Sequence, residues 1–204
     1  MDFYYSIAQP QVGFWKEKGS KFLAYAYPFE NPNELKPILE QLSKTHPKAC
    51  HSCFAYRLGN AGQTFRYSDD GEPSGTAGKP IYNALLSAEL TNVLLVVVRY
   101  FSGTLLGTRG LIDAYGAAAK DALNSAKEKG EIIQKQITKT LYLRFEYAHL
   151  AEVQRCAKRH KLLPTKQLFE IWCEMWFELT DSQRAEITHD FAQIYGVQLT
   201  EPSV

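Results

Sequence analysis

The sequence predicts an α+β protein with two domains, and three observations support this class. A chain of 204 residues is long enough for two domains. Its apolar share of 45% supplies a core and argues against disorder. Segments with strand-like alternation stand between segments with helical spacing, and the last third has the order βαββαβ of its own. We therefore expect one domain over residues 1–133 and a ferredoxin-like domain over residues 134–204.

The first domain begins with a strand pair over residues 11–28, which turns near Gly19 and Ser20. Asn31 can cap the helix that follows, and His46-Pro47 ends that helix. The later elements, in order, are a strand over 50–58, its returning strand over 64–67, a helix carrying Ile81, Leu85 and Leu86, a buried strand over 93–99, and a helix over 111–129 with Gly130 as its C-cap.

The second domain follows a polar connector at residues 130–137. Its predicted elements are a strand over 138–147, a helix over 149–160, strands near 166–171 and 172–180, a helix over 182–195 and a short strand at 197–200. This order is the split βαβ pattern of a ferredoxin-like domain.

Composition and the N-terminus indicate a cytoplasmic protein that does not enter the membrane. The start Met-Asp-Phe-Tyr-Tyr has neither a basic region nor an apolar stretch of a signal peptide. The longest apolar run, Val93 to Val98, is far shorter than a membrane span. Without an export signal the four cysteines are expected to be reduced. A net charge of +1 gives no long-range attraction for nucleic acid, so any such binding needs a local patch.

The first glycine-rich loop, residues 68–80, carries three carboxylates, Asp69, Asp70 and Glu72, around Gly71. Oxygen ligands this close together could form an acidic site that holds a hard cation. The ordinary alternative is a turn in which aspartates bind nearby N–H groups. An EF-hand pattern is absent, and we expect no metal and no cofactor.

The same loop ends in a helix start that could bind an anion. Ser74 and Thr76 offer hydroxyl donors and Lys79 offers a positive charge beside the helix N–H groups. The segment is not a phosphate-binding P-loop, since prolines occupy two of the positions that such a loop needs. A helix cap by Thr76 is the structural alternative, and it is compatible with an anion site.

The second glycine-rich loop runs from Arg99 through Gly103 to Arg109 and again leads from a buried strand into a helix. Basic side chains next to Tyr100 and Phe101 suit single-stranded nucleic acid, through phosphate contacts and base stacking. The alternative is that one aromatic ring is buried and the arginines are solvated. The glycine spacing is not the dinucleotide fingerprint.

Other motifs are weak. Cys50 and Cys53 form a Cys-x-x-Cys, but residues three apart on a strand point to opposite faces, so we expect neither shared metal nor disulfide chemistry. His51 is expected to be structural. Nucleophile motifs are missing, and no catalytic residue is predicted. The basic cluster from Arg155 to Lys161 is interpreted as a solvated helix end.

At the two loops the sequence resembles the YigZ/Impact family. The matching stretches are Ser68 to Pro80, Val96 to Gly107 and Gly110 to Gly116, and the positions Ser20 to Phe22 and His51 to Cys53 also fit. Two positions depart from the family pattern: Ser102 replaces the first of two glycines, and Arg109 stands where a glycine is common. The resemblance covers most of residues 15–125.

The resemblance implies a βαβ N-terminal domain, as in domain 2 of a small-subunit ribosomal protein and domain IV of elongation factor G, followed by a domain resembling domain V of that factor. It also implies a role around translation, since eukaryotic Impact proteins regulate initiation. We therefore expect a non-enzymatic protein that binds RNA or a ribosomal component, with no membrane association. The alternatives are an enzyme for a small phosphorylated or anionic substrate, using Asp69 and Asp70, and a regulator whose partners are only proteins. The oligomeric state is not predicted.

Overall fold

The computed structural model describes residues 2–200. Contacts divide the chain into two compact units, one of Tyr4–Lys135 and one built mainly from Gln136 onward. The protein is α+β, as the sequence predicts.

The first unit contains a five-stranded sheet with the order β2-β3-β6-β4-β5. All neighbouring strands in it are antiparallel. The elements of the first unit are β1 (Phe3–Ile7), β2 (Gln11–Glu17), β3 (Ser20–Pro28), α1 (Leu35–Thr45), β4 (His51–Leu58), β5 (Thr64–Ser68), α2 (Gly78–Ser87), β6 (Val93–Tyr100), α3 (Gly107–Glu128) and β7 (Ile132–Gln136).

The central strand β6 is buried on both faces, as its unbroken apolar sequence predicts. Helices α2 and α3 pack on one face of the sheet and α1 packs on the other. A Cβ atom on Gly13 of β2 would lie 2.2 Å from the backbone nitrogen of Ala122 in α3. This contact requires glycine, and it lets α3 lie close against the sheet.

Both glycine-rich loops lie at the same end of the strands, which we call one edge of this sheet. Strands β5 and β6 are each antiparallel to β4, so they run in the same direction and end at the same edge. The loops that follow them therefore start at the same edge, on either side of β4, and each leads into a helix, α2 or α3.

The second unit is a four-stranded antiparallel sheet with two helices. Its elements are β8 (Thr138–Phe145), α4 (Leu150–Arg159), β9 (Lys166–Phe169), β10 (Cys173–Thr180), α5 (Asp181–Ala192) and β11 (Gln198–Thr200). The strand order β11-β8-β10-β9 is that of a ferredoxin-like domain, so the predicted element order is confirmed. Thr180 and Gln183 form a capping box that starts α5.

The predicted polar connector at 130–137 is wrong in one respect, because it contains the strand β7. This strand pairs with β1, a strand that was not predicted. The N–H of Ala8 donates to the carbonyl of Glu131 at 2.8 Å. The pairing joins segments far apart in sequence, and neither segment shows strong alternation alone. Within residues 2–200, no helix is both long and apolar enough to span a membrane.

Candidate functional site

Asp69 caps the helix that follows the first loop. Its carboxylate accepts hydrogen bonds from the N–H groups of Gly75 at 2.9 Å, Ala77 at 3.0 Å and Gly78 at 2.8 Å. Partial burial raises the pKa of Asp69, but the three N–H bonds outweigh burial and hold the pKa below its ordinary value. Three N–H donors at the start of α2 that an external anion could use are therefore already bonded to Asp69.

Asp70 and His51 tie the first loop to the start of β4. Asp70 Oδ2 accepts from the N–H of Ser52 at 2.6 Å, and the carbonyl of Asp70 lies 2.7 Å from His51 Nδ1. Since a carbonyl only accepts, this contact places the proton of His51 on Nδ1. The other nitrogen, Nε2, lies 3.9 Å from Glu72 Oε1.

Glu72 is the centre of a buried polar cluster. Its Oε1 accepts from Arg99 Nη1 at 2.5 Å and from the Tyr115 hydroxyl at 2.8 Å. The side chains of Glu72 and Arg99 are only 4% and 6% exposed. The thiol of Cys53 contacts the same hydroxyl at 3.4 Å and donates to the carbonyl of Asp69 at 3.0 Å. Because a buried charge needs a partner, this pair holds the loop on the sheet.

Burial also sets the protonation state of two groups in this cluster. It raises the pKa of the Cys53 thiol to about 12, with the hydrogen bond between this thiol and the Tyr115 hydroxyl acting in the opposite direction. Burial raises the pKa of Tyr115 as well. Both groups are neutral at physiological pH, which fits hydrogen bonding inside the core.

The internal contacts of the loops bear on three predicted roles and favour the structural alternative for each. The carboxylates of Asp69, Asp70 and Glu72 bind different internal partners and do not converge on a shared cation position. Thr76 is buried, and its hydroxyl donates to the carbonyl of Pro73 at 2.6 Å. Arg99 is not free to contact a phosphate, because it lies on the face of β6 that α2 and α3 cover and pairs with Glu72.

Cys50 and Cys53 lie in different environments, although Cys50 stands just before β4 and not within it. Cys50 is exposed and Cys53 is buried, and both are free thiols.

The second loop ends at a helix start that carries no side-chain cap. The N-terminus of α3 has no side-chain hydrogen bond at its cap, unlike that of α2 with Asp69. Gly103 and Gly107 adopt φ of +90° and +71°, which side-chain-bearing residues rarely adopt. Gly107 and Thr108 line a hollow of about 430 Å³ together with His51 and Phe101.

A second hollow, of about 490 Å³, is also lined by Phe101. It is lined by aromatic and basic side chains of the β2–β3 hairpin and of β6: Phe14, Lys21, His46, Tyr100 and Phe101, with Gly19 and Leu23. Phe14 and Phe101 are 49% and 43% exposed. Phe101 also stacks on the guanidinium of Arg99, 5.1 Å from the ring centre.

Ser102 joins the hairpin to the second loop. Its hydroxyl donates to the carbonyl of Lys18 at 3.0 Å and lies 3.3 Å from the hydroxyl of Ser20. The side chains of Lys18 and Lys21 are exposed here. We call this surface the aromatic-basic face, defined by Phe14, Lys18, Lys21, Tyr100, Phe101 and the N-terminus of α3.

The remaining predicted residues lie at the same edge of the sheet but do not line either hollow. Ser74, Lys79 and Arg109 are exposed. Lys79 is in the first turn of α2 and Arg109 is in the first turn of α3. Arg109 lies 3.9 Å from Asp113 one turn along the helix.

Sequence reasoning missed two kinds of residue. Phe14 and Lys21 belong to the hairpin, and only the strand register brings them beside Tyr100. Tyr115 stands within a matching family stretch, but nothing in its spacing indicates that it would reach Glu72. Within β2, the small buried Gly13 next to the large exposed Phe14 is the local signal that Phe14 faces solvent on the hairpin.

Comparison with known proteins gives the family. The model for the Impact N-terminal domain matches residues 18–123. An IMPACT family member of Haemophilus influenzae is 35% identical over 170 residues, which cover 81% of this chain and 80% of that protein. One from Thermus thermophilus is 43% identical over 107 residues, covering 52% of this chain and 56% of its own length.

A solved structure agrees over the whole chain. A crystal structure described as that of a hypothetical protein superimposes with a TM-score of 0.71 at 28% identity, covering 100% of this chain and 98% of the other. The aligned segments span 53% to 80% of the bacterial relatives' own lengths. On the domain match and the Haemophilus relative together, the chain belongs to the IMPACT family.

Proposed function

We propose that this chain is a non-enzymatic binding protein that acts around translation and binds RNA, free or within a ribosomal particle, through the aromatic-basic face. The observation that carries this proposal is the position of Phe101. Its half-exposed ring lines two hollows, one shared with Lys21 and the other shared with the uncapped start of α3. A ring can stack on a base while amines and helix N–H groups meet phosphates.

The charge distribution supports binding of an anionic polymer. Lys18, Lys21, Lys79 and Arg109 are all exposed at or near this edge, although the whole chain has a net charge of only +1. Attraction is therefore local, and we expect modest affinity with strong dependence on salt.

The internal bonding of the carboxylates speaks against the enzyme alternative. Metal or acid–base chemistry at Asp69 and Asp70 needs carboxylates that face a substrate cavity. Here Asp69 is bound by three N–H groups and Asp70 by one. These bonds suit a loop-ordering role better than turnover.

The link to translation rests on the family. The resemblance to the Impact family implies a role in regulating translation, and the family match lies in the first unit of this chain. RNA as the ligand is our own step, taken from the surface chemistry. A regulator that contacts only proteins is the outcome if RNA does not bind.

Fluorescence anisotropy with short single-stranded RNA, titrated at several salt concentrations, tests the proposal. Log affinity should fall against log salt with a slope of about 0.7 per phosphate contact. Lys21→Gln and Arg109→Gln should each lower the slope by roughly one contact. Phe101→Ala should weaken binding by about 1–3 kcal/mol if the ring stacks on a base.

Two matched controls are available. Lys36→Gln removes an exposed lysine at the start of α1, away from His46 at its end. Tyr147→Ala removes a ring that is 69% exposed in the second unit. Both should leave affinity and slope unchanged. Absence of binding at low salt would contradict RNA binding at this surface. Equal effects of the variants in the aromatic-basic face and the control variants would also contradict it.

A further inference from the structure

The second unit contains a cluster of three side chains with metal-ligating groups. The Sγ of Cys156, a ring nitrogen of His160 and a carboxylate oxygen of Asp190 lie within 4.8 Å of one another. Cys156 and His160 are four residues apart at the end of α4, so they share one face of the helix. Asp190 reaches them from the last turns of α5.

We propose that this cluster is a site for a divalent transition-metal ion, with zinc as the preferred ion. The proposal is independent of RNA binding by the first unit. A thiolate, an imidazole and a carboxylate together are the donors that zinc takes in proteins, whereas calcium and magnesium prefer oxygen alone.

The geometry needs only small movements to accept the ion. Zinc binds sulfur at about 2.3 Å and nitrogen or oxygen at about 2.0–2.2 Å, so the ligand atoms around one tetrahedral ion are roughly 3–4 Å apart. His160 Nε2 and Asp190 Oδ2 are now 2.8 Å apart and share a hydrogen bond. The ion would replace that hydrogen, and a change in the side-chain torsion of Cys156 would bring its Sγ into range.

Burial favours a specific site over a chance surface cluster. Cys156 is 3% exposed, and the side chains of His160 and Asp190 are 11% and 26% exposed. A hollow of about 590 Å³ is lined by Cys156 and Asp190, and also by Glu152 and the two arginines Arg155 and Arg159. Because two of the three ligands line this hollow, water can reach the fourth position of the ion, as in zinc sites that are not purely structural.

One neighbour opposes the ion and gives the proposal a distinctive prediction. Arg159 Nη1 lies 3.1 Å from Asp190 Oδ2, so the guanidinium competes for the carboxylate. Without metal, the cluster is an ion pair that joins α4 to α5. Arg159→Gln should therefore strengthen metal binding, while a cluster that is only an ion pair gives no such gain.

Titration of the full chain with Zn²⁺, in competition with a chelator of known affinity, measures the site. We expect one equivalent to bind, and Co²⁺ to give the sulfur-to-metal charge-transfer absorption of a thiolate ligand. Cys156→Ser, His160→Gln and Asp190→Asn should each weaken binding by at least about tenfold. Cys50→Ser, which removes the exposed thiol of the first unit, should change nothing.

A second measurement covers the case in which a ligand variant fails to fold. In the unaltered protein, bound Zn²⁺ should protect Cys156 from alkylation, and Arg159→Gln should extend that protection to lower zinc concentrations. The proposal is overturned if one-equivalent binding is missing, if the cobalt form lacks thiolate absorption, or if Zn²⁺ leaves Cys156 alkylation unchanged.

Discussion

Removing the carboxylate of Glu72 tests whether the cluster under the first loop is structural. In Glu72→Ala, the guanidinium of Arg99 would remain in a site where its side chain is only 6% exposed, with its charged partner removed. Tyr115 would lose the acceptor that it reaches at 2.8 Å. Breaking a buried ion pair on one side costs about 3–5 kcal/mol, and we expect a loss in that range.

Urea unfolding should be followed by pulsed hydrogen exchange of β6 peptides, because the chain has two units and a global signal would mix them. With an m-value of about 1–3 kcal/mol per molar urea, the midpoint should fall by at least about 1 M. The double variant Glu72→Leu/Arg99→Met removes both charges and should recover most of the loss.

A loss below about 1 kcal/mol in Glu72→Ala would refute this account, since that value is typical of a solvated surface pair. Arg99 would then be available to a ligand, as its position in the second loop first indicated. Equal losses in the single and double variants would show that packing, and not the charge pair, is responsible.

Three further predictions concern the same unit. Asp69→Asn should lower the free energy of unfolding by about 0.5–2 kcal/mol at pH 7, because it weakens a helix cap. Since folding lowers the pKa of Asp69, the stability that its carboxylate contributes is present above the unfolded pKa of about 3.9 and is lost as pH falls through the lower folded pKa. The urea midpoints of the wild type and the variant should therefore converge in acid. Iodoacetamide at pH 8 should label exposed Cys50 long before Cys53, whose pKa is about 12, and mass spectrometry of the native protein would contradict this if both were labelled together. Gly13→Ala should cost about 1–3 kcal/mol in urea unfolding, because the new Cβ meets backbone of Ala122; an unchanged midpoint would mean that α3 can move away freely.

Periodicity was sufficient for most of the fold. The hairpin of β2 and β3, the buried strand β6 and the whole ferredoxin-like order follow from local apolar spacing and turn residues. The pairing of β1 with β7 could not be predicted in this way, because each is a short strand whose partner lies at the far end of the unit. Helix α3 also begins at Gly107, earlier than its first buried residue, Leu111, indicates.

The site was harder to predict, since its meaning depends on contacts between distant residues. The composition of the two loops was enough to select them, and their common edge follows from the strand order. The pairing of Arg99 with Glu72, however, joins residues 27 apart and turns a predicted ligand contact into part of the core. Lys21 shows the opposite case, because only the register with Tyr100 places it beside the second loop.

Ultraviolet crosslinking of the unaltered protein to single-stranded RNA, with the crosslinked peptides identified by mass spectrometry, tests the central claim most directly. The measurement needs no substitution, so altered folding cannot confuse it. Binding at the aromatic-basic face predicts crosslinks at Phe101 or Tyr100, together with Phe14 of the neighbouring hairpin, and their loss at high salt. Crosslinks confined to the second unit, or none at low salt, would contradict the assignment of RNA to this face.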